Sequence, residues 1–219
     1  MSYQDETFQR REQLLLDTAL TLFRDHGWES VTVAQVAAAA GIGKGTVYRH
    51  FSSKESIYAR IVLDFTGVCL QRYRQEPLDG QPLQAMRRII RLAFDLLNDN
   101  PMEVQLCLHC ERPEFQERLE PGARQAFCDL ERQYQSLFNQ ILEAAVVAGE
   151  IAPRPMEPLY WGVDATFQGV MAHIAGGGFG ARHPAVSRQN YFDHVADFII
   201  SGIIGPVASL GVGRVESEQ

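Results

Sequence analysis

Three features of the 219-residue sequence predict an all-α fold. Apolar residues recur every three or four positions along most of the chain, which is the period of an amphipathic helix. Glycine and proline fall between these stretches, where helices are expected to end. Segments with the alternating pattern of a strand are hard to find. The length and the 46% hydrophobic content suit one small domain and one larger domain.

The most informative segment covers residues 32–51, TVAQVAAAAGIGKGTVYRHF, and predicts two helices joined by a short turn. Thr32 and Gln35 have the spacing of a capping box, in which each side chain satisfies a backbone donor at the start of a helix. A helix therefore begins at Val33. Gly41 stands where a left-handed residue is needed to end it. The pair is predicted to be a helix-turn-helix.

The second helix of the pair is predicted from Lys44 to about Phe51, with Gly43 as its N-cap. Val47 and Phe51 are its only obvious core residues, which leaves the other face free. Cationic, hydroxyl and aromatic groups near a helix N-terminus suit the phosphates and base edges of duplex DNA. A solvated amphipathic helix is the alternative, but the capped pair favours DNA binding. The predicted DNA contacts are Thr32, Lys44, Gly45, Thr46, Tyr48, Arg49, His50 and Lys54.

The net charge of −7 argues at first against a polyanionic partner, but the charges are unevenly distributed. Residues 1–60 carry seven bases and seven acids, so the excess negative charge lies in the remainder of the chain. Within residues 44–60, four bases accompany a single acid, Glu55. This local basic patch favours a discrete footprint on DNA over general coating of nucleic acid.

The residues GIGKGTVYRHFSSKESIY resemble the signature of the TetR family of one-component bacterial repressors, and the preceding QRREQLLLDTALTLFRDHGWESVTVAQVAAAAG resembles that family's first two helices. The resemblance covers about the first quarter of the chain. It implies an N-terminal three-helix helix-turn-helix domain, a C-terminal helical ligand-binding and dimerisation domain, and a symmetric dimer on a pseudopalindromic operator. The N-cap of the recognition helix is often Ser or Thr in that family, whereas Gly43 lacks a hydroxyl for a phosphate contact.

The sequence is expected to divide into three regions. Residues 1–53 are predicted to form the helix-turn-helix DNA-binding domain, residues 54–208 the ligand-binding and dimerisation domain, and residues 209–219 a flexible tail. Ser52 and Ser53 are alternative caps for the helix that leaves the first domain and enters the second.

No membrane segment is predicted. The first twelve residues are polar, and Gly205-Pro206 interrupts the longest apolar stretch before it reaches bilayer length. The expected location is the cytoplasm. The expected partners are a double-stranded DNA operator, a small-molecule effector and a second copy of the chain.

A ligand pocket is predicted in the C-terminal domain, where aromatic and apolar residues accompany a few polar groups. An acid on an apolar helix costs energy to bury unless it is paired, so Asp164 is the best single candidate for a polar pocket group or a structural ion pair. Such a lining favours a lipophilic ligand, aromatic or weakly cationic. The predicted contacts are Phe94, Leu97, His109, Tyr134, Phe138, Trp161, Asp164, Phe167, Gln168 and Met171.

The last two predicted helices have the character of a dimer interface. Small residues repeat every three or four positions on the first of them, which makes a flat face that another backbone can approach closely. Two helices from each protomer would form an intersubunit four-helix bundle, as the family resemblance implies, while an intramolecular core is the alternative. The predicted interface residues are Gly162, Ala165, Gly169, Ala172, Val195, Phe198, Ile199 and Gly202.

Four cysteines are present, and Cys107 and Cys110 have the spacing of half a zinc site with His109 between them. A second ligand pair is missing, so packing as free thiols is favoured over metal or redox sensing. No nucleophile elbow or phosphate-binding loop is found, which argues against an enzyme, and no cofactor or metal is expected. The predicted function is a DNA-binding repressor released by a small lipophilic ligand; a regulator that senses thiols or metals is the alternative.

Overall fold

The computed structural model describes residues 3–177 and 186–205, and these residues form ten α-helices without a strand. The helices are α1 (Tyr3–His26), α2 (Val33–Ala39), α3 (Lys44–His50), α4 (Lys54–Tyr73), α5 (Pro82–Asp99), α6 (Pro101–Cys110), α7 (Pro113–Gln116), α8 (Pro121–Val147), α9 (Glu157–Ala175) and α10 (Arg188–Ile204). The all-α prediction is confirmed. The predicted tail, residues 209–219, lies outside the described residues.

The helix pair forms by the local signals that predict it. Thr32 accepts a hydrogen bond from the Gln35 amide, and the Gln35 side chain accepts one from the Thr32 amide at 2.8 Å, so the capping box is complete. Gly41 has φ +67°, the left-handed conformation that ends a helix cheaply only for glycine. Of the two alternative caps before α4, Ser53 is the one used, and it exchanges hydrogen bonds with Ser56.

Several helices begin at a proline. α6, α7 and α8 start at Pro101, Pro113 and Pro121. Proline at the first helical position lacks only an amide hydrogen that would have no partner there, and its fixed φ suits the helix. These prolines therefore start helices.

One continuous buried cluster connects the N-terminal helices with the rest of the molecule, from Leu15 and Phe23 in α1 to Ile203 in α10. α4 and α6 carry this continuity, because α6 contacts α1, α4 and α9. Around them, α5 packs against α8 and α10. Within the described ranges, no helix is both long enough and apolar enough to span a bilayer.

Candidate DNA-binding surface and ligand cavity

The α3 helix presents a polar face to solvent. Val47 is fully buried and anchors the helix, while Tyr48 keeps 46% of its surface exposed. The Arg49 guanidinium donates a hydrogen bond to the Thr46 hydroxyl at 3.0 Å, and the Lys44 ammonium lies 5.8 Å from the centre of the Tyr48 ring. The face thus combines two cations, a phenol and a hydroxyl within seven residues.

Gly45 and Thr32 are also exposed on this side of the molecule. The Thr32 hydroxyl donates to the Gln35 side-chain oxygen at 2.9 Å and accepts from the Gln35 amide. The Thr32 hydroxyl, the group predicted to contact DNA, is therefore already engaged in capping α2. A Cβ at Gly45 would meet no atom within 4 Å, so the chain itself leaves space there for another molecule.

His50 was predicted as a DNA contact, and the structure places it elsewhere. Its side chain is only 2% exposed, stacks on Phe8 with ring centres 3.9 Å apart, and lies 3.6 Å from the Glu12 carboxylate. His50 follows Val47 by three positions, so both residues face the α1 side of the helix. The i, i+3 spacing is the sequence signal that identifies His50 as part of the packed face.

Lys54 is partly buried rather than free. Its ammonium donates a hydrogen bond to the Glu29 carbonyl oxygen at 2.7 Å and lies 5.4 Å from the centre of the Tyr58 ring. Burial lowers the pKa of Lys54. A phosphate would share this ammonium with the Glu29 carbonyl, whereas the Lys44 ammonium is exposed.

A cavity of about 500 Å³ opens among α4, α5, α6, α8 and α9. Its wall is mainly apolar and aromatic, as expected for a site that binds a small lipophilic molecule. Six of the ten predicted ligand contacts line it. They are Leu97, Tyr134, Phe138, Asp164, Phe167 and Met171.

Three other predicted contacts do not line the cavity. Phe94 is fully buried behind the wall, with its ring centre 4.9 Å from that of Phe167. Trp161 lies on the outer side of α9 and is 60% exposed. Gln168 donates a hydrogen bond to the Glu111 carboxylate at 2.7 Å, so it contacts a lining residue without lining the cavity itself. Periodicity identifies the apolar stripe of a helix but not which part of that stripe faces a void.

His109, the fourth of these, points toward the N-terminal helices. Its ring centre lies 4.5 Å from Trp28, 5.9 Å from Tyr58 and 5.1 Å from Phe115. Burial, followed by the charge of Arg112, lowers the pKa of His109, so its ring is neutral near pH 7. The predicted polar pocket group is instead part of an aromatic cluster between the two parts of the molecule.

Several lining residues were not predicted, and the most informative are polar. Glu111 follows α6, Glu131 lies in α8, and Tyr160 lies in α9, where its hydroxyl donates a hydrogen bond to Glu131. Glu131 lies three positions before Tyr134, on the same stripe of α8. An acidic residue within the apolar stripe of α8 is the sequence feature that could have identified Glu131 as a lining residue.

Burial raises the pKa of the Glu111 carboxyl, an effect that the Gln168 hydrogen bond opposes and the neighbouring Asp164 and Glu131 carboxylates reinforce. Asp164 keeps contact with solvent, yet partial burial, followed by the charge of Glu131, raises its pKa as well. The acids at this end of the cavity therefore destabilise one another's charged forms.

The cysteines give no support to the thiol- or metal-sensing alternative. Cys107 and Cys110 are buried, and burial raises the pKa of both thiols, that of Cys110 to about 12. A thiol that is not ionised is a poor nucleophile and a poor metal ligand. In the described part of the chain, no three His, Cys, Asp or Glu residues are grouped closely enough to hold a metal ion.

The predicted dimer residues are mostly exposed on α9 and α10. Gly162, Ala165, Gly169, Ala172 and Gly202 are exposed, Val195 is partly buried, and Phe198 is 70% exposed. Ile199 differs, because it is buried inside the protomer at 4% exposure and is not available to a partner. A shallow groove between the two helices is lined by Gly169, Val195 and Phe198, among others.

An ion pair joins α1 to α6. Arg24 donates to Glu103 at 2.5 Å, and Glu103 is only 5% exposed, whereas the Arg24 side chain is half exposed. The second carboxylate oxygen of Glu103 has no hydrogen-bond partner among the described residues. Tyr58 of α4 ties the loop after α1 to the rest of the molecule, because its hydroxyl donates to the Trp28 carbonyl at 2.8 Å.

Comparison with known proteins agrees with this architecture. The family model for bacterial regulatory proteins of the tetR family matches residues 15–61. The chain is 28% identical over 140 residues to the HTH-type transcriptional repressor KstR2 of Rhodococcus jostii, which covers 64% of this chain and 67% of that protein. It is 30% identical over 135 residues to the HTH-type transcriptional regulator TcmR of Streptomyces glaucescens, covering 61% and 59%.

The fold extends beyond the region of sequence similarity. The crystal structure of the transcriptional regulator FadR from Bacillus subtilis in complex with stearoyl-CoA aligns with a TM-score of 0.67 at 17% identity, covering 87% of this chain and 98% of that one. The family model matches the residues that build the helix pair and its supports, and the helices that follow are arranged as in the FadR structure. The family model, the relatives in sequence and the neighbours in structure together indicate a TetR family transcriptional regulator.

Proposed function

We propose that this protein is a one-component repressor that leaves a pseudopalindromic operator when a small lipophilic molecule fills the cavity. The observation that carries the proposal is the position of α6. Cys107 of this helix lines the cavity, while Glu103 and His109 of the same helix contact the N-terminal helices. A ligand that moves α6 acts on both parts of the molecule.

The DNA-binding part of the proposal rests on α3. Lys44, Tyr48 and Arg49 are exposed, and a recognition helix reads a major groove with such side chains. Residues 1–53 are proposed as the DNA-binding region and residues 54–208 as the region for ligand binding and dimerisation. Because one buried cluster connects the two, they are proposed to move against each other by small shifts of packed helices.

The release step follows from differential binding. Ligand shifts the population only as far as it binds the DNA-incompetent arrangement more tightly than the other. A hundredfold preference corresponds to about 2.7 kcal/mol, within the range of allosteric coupling energies. α4 helps to transmit the preference, because Tyr58 packs near the DNA-binding part and Tyr73 lines the cavity at the other end.

A dimer completes the proposal, because a pseudopalindromic operator presents two half-sites related by a two-fold axis. The exposed small residues of α9 and the exposed Phe198 of α10 supply the proposed interface. The protein is proposed to act by binding alone, without catalysis, and to work in the cytoplasm, where it meets its operator.

Selection of fragments of the host genome on the immobilised full-length protein tests the proposal. Recovered fragments are expected to share a sequence with two-fold symmetry, and a gel shift with such a fragment is expected to show one discrete complex. Recovery of random fragments that bind equally well would contradict the assignment.

A further inference from the structure

The geometry points to a lipophilic organic cation as the ligand that this cavity selects. The inference rests on the proposed function, since it names the chemistry of the effector in the same cavity. It is carried by the charges that line the wall, by the lack of an opposing base there, and by the aromatic rings beside the charges.

The wall carries acids without bases. Glu111, Glu131 and Asp164 line the cavity, and no Lys, Arg or His is among the described residues that do so. None of the three acids forms an ion pair with a base in residues 3–177 or 186–205. A carboxylate or phosphate ligand would be repelled here, whereas a cation would be attracted.

The hydrogen bonds to these acids come from neutral donors. Tyr160 donates to Glu131 through its hydroxyl, and Gln168 donates to Glu111 through its amide. Such donors stabilise a carboxylate but leave its charge in place. The negative charge at this end of the cavity is therefore available to a ligand.

The arrangement is too open for a metal ion. The described residues contain no trio of His, Cys, Asp and Glu side chains close enough to coordinate one. The three acids lie just after α6, in α8 and in α9, and they are not grouped closely enough for one small ion, so they suit a charge spread over a larger body. An organic cation with apolar substituents meets that description.

Aromatic rings complete the match. Tyr73 and Tyr134 lie with ring centres 6.1 Å apart, and Phe138 and Tyr160 lie 5.5 Å apart edge to face, and all four residues line the cavity. The face of an aromatic ring attracts a cation, and its apolar area stabilises a lipophilic group. A volume of about 500 Å³ accommodates a ligand of drug size.

A pair of probes that differ in the sign of their charge tests the inference. Tetraphenylphosphonium and tetraphenylborate have nearly the same size and shape, and one is a cation while the other is an anion. Isothermal titration of the full-length protein at about pH 8 is expected to show at least ~10-fold tighter binding of the phosphonium. Equal affinity, preference for the borate, or no binding of the phosphonium would overturn the inference.

Variants locate the effect in the cavity. Glu131→Gln and Asp164→Asn keep side-chain size and remove charge, and each is expected to weaken phosphonium binding by roughly 3- to 10-fold while borate binding is unchanged or tighter. Glu143→Gln is the matched control, because Glu143 is an exposed acid of α8 that does not line the cavity. If Glu143→Gln reduces affinity as much as Glu131→Gln, the cation binds elsewhere and the inference fails.

A gel shift with the selected operator fragment separates this inference from the proposed function. If the phosphonium binds in the cavity but leaves the operator complex unchanged, the ligand class stands and the release mechanism fails. If the borate instead binds more tightly and releases the operator, the release mechanism stands and the ligand class is wrong.

Discussion

The exposed face of α3 and the wall of the cavity carry opposite charges, and they differ in how much of the chain is needed to form them. The α3 face carries Lys44 and Arg49 with no acid between them, and one run of seven residues builds it. The cavity carries acids with no described base, and five long helices contribute to it. Local residues are thus enough to form the first surface, while only the folded chain forms the second.

Substitutions can therefore test the α3 face, the cavity wall and the proposed dimer face separately. The largest effect is expected from Gly169→Leu, which targets the proposed dimer face. A Cβ at Gly169 meets no atom within 4 Å, so the protomer has room for it and only a partner would be disturbed. Loss of the dimer removes the second half-site contact, so operator affinity is expected to fall at least ~100-fold.

Sedimentation and gel-shift measurements check this prediction together. Gly122→Leu is the control, because Gly122 also has free space and lies at the start of α8 rather than on either helix of the proposed interface. A Gly169→Leu protein that still sediments as a dimer would place the interface on another face. Phosphonium binding is expected to survive the substitution, because Gly169 does not line the cavity.

Arg49→Ala and Tyr48→Ala are the next in size. If either side chain reads a base, each variant is expected to bind the operator about 1–3 kcal/mol more weakly and to discriminate less at that base pair. Titration of the operator and of single-base variants measures both effects. Full affinity and specificity in both variants would show that α3 does not read the operator.

The cavity should lose its preference for a cation as the pH falls. Raised pKa values for Glu111 and Asp164 mean that these acids are neutral at a higher pH than usual, so affinity is lost as pH drops through those values. Glu131 is the other acid of the wall. Burial raises the pKa of Cys69, Cys107 and the three tyrosines that line the cavity, so these groups stay neutral over this range. Phosphonium titrations from about pH 8 to about pH 5 are expected to show a several-fold loss, and a flat profile would argue against acids that contact the ligand.

Lys44→Ala and Lys54→Ala distinguish a free cation from one that is already engaged. Lys44 is exposed, so its loss is expected to weaken all DNA sequences alike and to reduce the salt dependence by about one counterion. Lys54 donates to the Glu29 carbonyl, so its loss is expected to change the salt dependence less and to lower the stability of the helix pair. Binding measured across salt concentrations, beside urea unfolding, tests the difference; identical salt slopes would contradict it.

The smallest effect is expected from Gly43→Ser. The backbone at Gly43 is extended, and an added Cβ meets nothing within 4 Å, so serine fits as an N-cap. The expected gain in stability is a few tenths of a kcal/mol, measured by urea unfolding. If this N-cap lies beside a phosphate, as proposed for the start of α3, the added hydroxyl is expected to strengthen operator binding slightly. Weaker binding would mean that the glycine is needed for close approach.

The sequence predicts local structure correctly where the residues that determine it lie within a few positions of one another. The Thr32–Gln35 capping box and the left-handed Gly41 are set by residues within a few positions, and both are present in the structure. For His50 the local spacing from Val47 indicates the packed face, but its partners Phe8 and Glu12 lie in α1, some forty residues earlier, and only the folded structure identifies them.

The cavity could be predicted only in part. The same apolar stripe lines a void or fills a core, depending on how the neighbouring helices are spaced. The sequence therefore could not show that Phe167 lines the cavity while Phe94, which contacts it, lies behind the wall. Glu111 lines the cavity because it follows the end of α6, a position that no periodicity along the chain reveals. Tertiary packing decides such positions.

The contact between Arg24 and Glu103 has a consequence for how the protein answers its effector. Among the described residues, Arg24 is the only base paired with the buried Glu103 carboxylate, so separating the two leaves a charge unpaired in dry surroundings and lowers stability. We expect the contact between α1 and α6 to resist small displacements for this reason, so an effector has to offset the cost before the N-terminal helices separate from α6.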